Sequence, residues 1–126
     1  MLRQLASFKS LPEAIDYAAL GVEELTFNDA QGDVSHRLSY AALRQRAQDF
    51  ARSLAAEYPR GSHIGLVAET SADFIIAFTA CQYAGLLPAP ISLPPSFGGR
   101  DAYRDRFNRL CKAASLTAAL VPEQLL

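Results

Sequence analysis

The residues of this chain that are able to do chemistry lie apart from one another. Arg100 follows Gly98 and Gly99, and a guanidinium on a Gly-Gly turn can hold a phosphate or carboxylate through paired N–H bonds. A turn with a solvated arginine is the simpler reading of those three residues. The stretch HIGLVA, residues 63–68, runs into ETSADF, and a strand-to-helix junction is where nucleotide-binding folds cradle phosphate. That use needs glycines, so that backbone amides can approach the anion, and residues 69–74 contain none. Glu69 and Asp73 would also oppose an anion at the helix start near Thr70. Neither G-x-G-x-x-G nor G-x-x-x-x-G-K-[ST] occurs.

The remaining candidates are equally isolated. His36 and His63 have no second His, Cys or carboxylate at metal-ligand spacing. Cys81 and Cys111 form no C-x-x-C pair, and Cys81 falls in an apolar helix where a thiol packs rather than reacts. Glu23 and Glu24 read as a solvated pair. Arg100, Arg104, Arg106, Arg109 and Lys112 make one helix basic, but Asp101 and Asp105 sit among them and its aromatics point to the core stripe. A solvated face fits that pattern better than a nucleic-acid surface. No catalytic, cofactor-binding or metal-binding residue is therefore assigned, because a triad or ligand set is defined by geometry and not by inventory.

The bulk properties agree. Half of the 126 residues are apolar, enough to bury the core of a single α/β unit spanning residues 1–126. Twelve basic residues against thirteen acidic ones leave a formal charge of −1, so no global field draws the chain to nucleic acid. The N-terminus lacks the uninterrupted apolar stretch of an export signal, and the apolar run from Phe74 to Ala84 is too short to span a bilayer. A soluble, cytoplasmic chain with reduced thiols is expected.

The elements that would position these residues follow from periodicity. Ser10 and Pro12 open a first helix that Gly21 stops. LTFND and VSHRLS, joined across a Gly-containing turn, predict a hairpin whose apolar residues are Leu25, Phe27 and Leu38. Ser39 caps a helix whose inward stripe is Leu43, Ala47, Phe50, Leu54 and Tyr58, with Arg44 among the residues pointing away. HIGLVA is apolar on both alternating faces, as a strand covered on both sides must be, and is expected at the centre of a parallel sheet.

Ser71 or Thr70 caps the next helix, FIIAFTACQYA, which Gly85 ends. Its sides are nearly all apolar, so it should pack on the sheet and on a second partner missing from this chain; an exposed face there predicts self-association. LLPAPIS follows as a strand in which Pro88 and Pro90 remove donors along one edge. LPPSFGGR reads as a loop, then a helix with core face Tyr103, Phe107, Leu110 and Ala114, and a last strand in LTAALVP. The closing EQLL looks cut short for a domain boundary.

Ser39, Tyr40 and Leu43, then Gly61, Ile64 and Leu66, then Ala84, Gly85 and Pro90 fall in an order that resembles the N-terminal part of adenylate-forming enzymes. In that superfamily of acyl-CoA synthetases, adenylation domains and luciferases, a "TY.EL" helix start leads to a "G..V.L" strand, a helix ending in "AG" and a strand with Pro. CQYAG and LPPSFGGR look most like fatty acyl-AMP ligases.

The resemblance implies an α/β fold, a partial N-terminal subdomain with a mostly parallel sheet, helices on both faces and a short N-terminal hairpin. It also implies an enzyme that activates a fatty acid with ATP and Mg²⁺ and passes the acyl group to an acyl carrier protein or coenzyme A. The family's phosphate loop, magnesium-side Glu, ribose-binding Asp and lid Lys all fall beyond Leu126, so the segment is expected to hold no cofactor and to be inactive without the remainder of the enzyme. A noncatalytic interaction module, or a split-enzyme partner with the same half-fold, is the alternative.

Overall fold

The computed structural model describes residues 7–92 and 99–122. The chain order is α1 (Leu11–Ala18), β1 (Glu24–Asn28), β2 (Val34–Ser39), α2 (Tyr40–Glu57), β3 (His63–Ala68), α3 (Ala72–Ala84), β4 (Leu87–Ser92), α4 (Gly99–Ala113) and β5 (Ala118–Leu120). Serine starts three of the four helices among the described residues. Ser10, Ser39 and Ser71 accept from the amides of Glu13, Ala42 and Phe74 at 3.3, 3.0 and 3.2 Å, each satisfying one of the donors a helix start leaves open. α1 ends at Ala18, three residues before Gly21, because the chain closes there in tight turns from Leu20 to Tyr17 and from Gly21 to Ala18. At α3 the expected stop holds: Gly85 adopts the left-handed conformation at φ 73° and its amide returns to the last turn.

β1 and β2 pair antiparallel, with Leu25 opposite Leu38 and the register shifting between Phe27 and Asn28. Asp29 builds the turn by accepting from the Gln31 and Asp33 amides at 3.0 Å each. The other sheet has the order β4-β3-β5, all parallel, so HIGLVA is central as its two-sided apolarity requires. From β3 the chain reaches β4 on one side, then crosses back over β3 to β5. Right-handed crossovers in opposite directions put α3 and α4 on opposite faces.

Ile64 and Leu66 point into the core shared with α2 and α3. Gly65, between them, points the other way, where an added Cβ would lie 2.6 Å from Leu116 and 3.1 Å from Ile91. On this face Leu116, Ile91 and Ala119 close over the bare Gly65 backbone.

The apolarity of α3 has its cause within the chain. Its Phe74, Ala77, Phe78, Ala80 and Cys81 join the core of α2 and the parallel sheet. Ala72, Ile75 and Ile76 join a second cluster built on Phe27, Leu38 and Leu43. The second partner expected to be missing is therefore the hairpin with the first turns of α2, helped by Ile15 of α1. The exposed large apolar residues among those described are Leu11, Leu20, Val22, Val34, Leu87 and Leu110, none of them on α3. The self-association expected from an open α3 face loses its basis.

β4 is an edge strand. The Leu87 amide donates to Ser62 at 2.9 Å, so alternation turns Ala89 and Ile91 toward β3 as well. Pro88 and Pro90 then face outward, and that edge offers carbonyls without amides over the two positions. On the other side Thr117, just before β5, donates to His63 at 2.8 Å, and β5 pairs with β3 through Ile64 with Ala118, Gly65 with Ala119 and Leu66 with Leu120, which leaves the far side of β5 as the second edge of the sheet.

Two expectations about the last third change. Gly99 and Arg100 belong to the first turn of α4 and not to a loop, while residues 93–98, including Gly98, lie outside the described residues. On α4 the half-buried face is Tyr103, Phe107 and Cys111; Leu110 is 43% exposed and Ala114 is exposed.

Candidate functional site

The carboxyl ends of parallel strands are where α/β folds bind ligands, since helix starts and loops converge there. In this chain that end holds a cleft of about 680 Å³ between the ends of β3 and β5, the start of α3 and Phe50 of α2. Leu66, Val67, Phe74, Leu120 and Pro122 make most of its wall apolar. Glu69, Ser71 and Asp73 are its polar members. The Ser71 hydroxyl already caps α3 by accepting from Phe74, and among the described residues no hydrogen bond joins it to the Glu69 or Asp73 carboxylate, so no nucleophile–base pair is assembled.

The same lining tests the fit of ATP and Mg²⁺. A triphosphate needs glycine-borne amides and cations around it, and the cleft presents two carboxylates and no glycine. Among the described residues no three His, Cys, Asp or Glu side chains come together as metal ligands. The residues present do not fit the nucleotide.

The candidates raised by sequence stay apart. His36 is exposed, with its ring 6.0 Å from that of Phe27. His63 is exposed at the start of β3, where Nδ1 lies 3.2 Å from the Ala114 carbonyl and ties the sheet to the end of α4. Cys81 is fully buried, and burial pushes its thiol up to about 11, which keeps it protonated and unreactive at neutral pH. Cys111 is half-buried and free. Glu24 is not simply solvated: it pairs with Arg37 across the hairpin at 2.6 Å. Arg104, Arg106, Arg109 and Lys112 are exposed along α4, as a solvated face requires. Beneath that helix the rings of Tyr103 and Phe107 lie 6.1 Å apart, and the buried Tyr103 hydroxyl has no hydrogen-bond partner among the described residues.

One constellation escaped the sequence reading. Asp16 of α1 accepts from the Tyr83 hydroxyl of α3 at 2.5 Å and from Arg44 Nε of α2 at 2.8 Å. The two hydrogen bonds, Tyr83 first, hold the Asp16 carboxyl below its usual range. Burial, and then the Asp16 bond, push the Tyr83 phenol up. Arg44 was expected to point away into solvent; instead it closes one side of a crevice of about 500 Å³ shared with Phe8, Glu13 and Leu20. The group joins three helices with its carboxylate, phenol and guanidinium engaged with one another, so it ties α1 to α2 and α3.

Comparison with known proteins supplies the context that this geometry lacks. Residues 16–123 match the family model described as AMP-binding enzyme. A provisionally named acyl-CoA synthetase of Caulobacter vibrioides is 41% identical over 120 residues, covering 94% of this chain and 21% of the relative. Disco-interacting protein 2 of Drosophila melanogaster is 30% identical over 113 residues, 80% of this chain and 6% of its own length. A solved structure from work on the fatty acyl-adenylate ligases of E. coli and L. pneumophila superposes with a TM-score of 0.88 at 35% identity, over 98% of this chain and 22% of that one. The chain thus spans about a fifth or less of the length of these relatives.

Proposed function

We propose, from the premise that the chain belongs to the AMP-binding enzyme family, that it is the N-terminal scaffold segment of an ATP-dependent fatty acyl-AMP ligase acting in the cytoplasm. In that reaction a fatty acid carboxylate oxygen attacks the α-phosphorus of ATP, pyrophosphate leaves, and the mixed anhydride then gives its acyl group to a carrier-protein or coenzyme A thiol. ATP and Mg²⁺ are held by the remainder of the enzyme, where developing charge on the phosphates must be met by cations. What carries this reading is the superposition on a solved fatty acyl-adenylate ligase over nearly all of this chain. The site geometry supports the scaffold role: helix caps, a central strand and an interhelical polar staple are in place, and the cleft lacks a nucleophile–base pair.

The test is fatty-acid-dependent exchange of pyrophosphate into ATP by the complete protein, with the acyl-adenylate identified by mass. Exchange is expected with the complete protein and none with residues 1–126 alone. A complete protein that forms no adenylate with any of a series of fatty acids of increasing length would overturn the reading, and exchange by the isolated segment would overturn its scaffold role.

A second reading, a noncatalytic interaction module, is favoured by the match to Disco-interacting protein 2, whose name is that of an interacting protein. Its binding surface would not be α3, which the chain covers with its own hairpin. ATP binding by the complete protein separates the two readings.

A further inference from the structure

We draw no further inference here: the strongest candidate, the outer edge of β5 (Ala118–Leu120) beside the apolar cleft, is a strand-pairing surface for which nothing in the structure shows what covers it.

Discussion

Tyr83 and Asp16 lie 67 residues apart in sequence and meet at 2.5 Å, phenol to carboxylate, with Arg44 on the same carboxylate oxygen. The bond matters because α1 has no buried residue of its own, so polar contacts carry an unusual share of its attachment. Tyr83→Phe should lower stability by about 1 kcal/mol, the usual worth of such a bond. Hydrogen exchange should locate the loss in residues 11–18; an unchanged exchange rate there would refute the staple.

Acid should act on the same contact. The folded Asp16 carboxyl titrates below its ordinary value of 3.8, so its stabilisation is fully present above that value and is lost as pH falls through the lower, folded one. In Asp16→Asn this acid-side loss should disappear. The Tyr83 phenol should then ionise at lower pH than in the unmodified chain, yet still above the ordinary 10.0, because burial is the larger cause of its shift. Acid unfolding followed by circular dichroism reads the first effect, and ultraviolet titration of the phenolate reads the second.

Cys81 should set an alkaline limit. Its folded thiol titrates near 11 against an ordinary 9.0, so between those values the unfolded chain releases a proton that the folded chain keeps. Stability from this group is therefore complete below about pH 9 and declines toward pH 11. Urea unfolding at a series of pH values should show the decline in the unmodified chain and a shallower one in Cys81→Ala, which starts from a lower stability. Thiol reagents at neutral pH should modify Cys111 well before Cys81, which is fully buried.

Gly65 should tolerate no side chain. Gly65→Ala places a methyl 2.6 Å from the Leu116 side chain, in the overpacking regime of about 1–3 kcal/mol. Leu116→Ala should remove much of that cost, so a double-mutant cycle should give a coupling energy beyond about 0.5 kcal/mol. Additive effects would show that the methyl meets something other than Leu116.

Gly85→Ala should also destabilise, for a conformational reason first. The left-handed φ of 73° suits glycine, and the added methyl would lie 2.9 Å from the Arg60 side chain. A loss of about 1–2 kcal/mol is expected. Arg60→Ala should recover little of it, because a long exposed side chain can move aside and the backbone strain stays. Thermal unfolding of the single and double variants distinguishes strain from contact.

Much of the fold was legible because local chemistry and tertiary need coincide. Ser39 and Ser71 cap where they were expected, HIGLVA occupies the centre of the sheet, and Pro88 and Pro90 share an edge. The failures come where spacing permits two answers. After Phe107 a helical stripe continues equally well through Leu110 or Cys111, three and four residues on, and in the folded chain Cys111 is half-buried while Leu110 is exposed. The Asp16–Arg44–Tyr83 group was invisible for a different reason: its members stand on three helices, and only the packed arrangement brings them within bonding distance. For the site, the glycine-free stretch after β3 was legible in the sequence, whereas the cleft that Glu69 and Asp73 line is made only when β5 comes alongside β3.

The two prolines of β4 bear on how the chain behaves before it is fully assembled. Templated growth of a sheet, whether by a legitimate strand or by a stray copy, requires alternating donors and acceptors on the receiving side. Across Pro88 and Pro90 the outer side of β4 has acceptors alone, so it cannot seed such growth. The parallel sheet therefore has a valence of one, at β5, and a direction in which it can be lengthened.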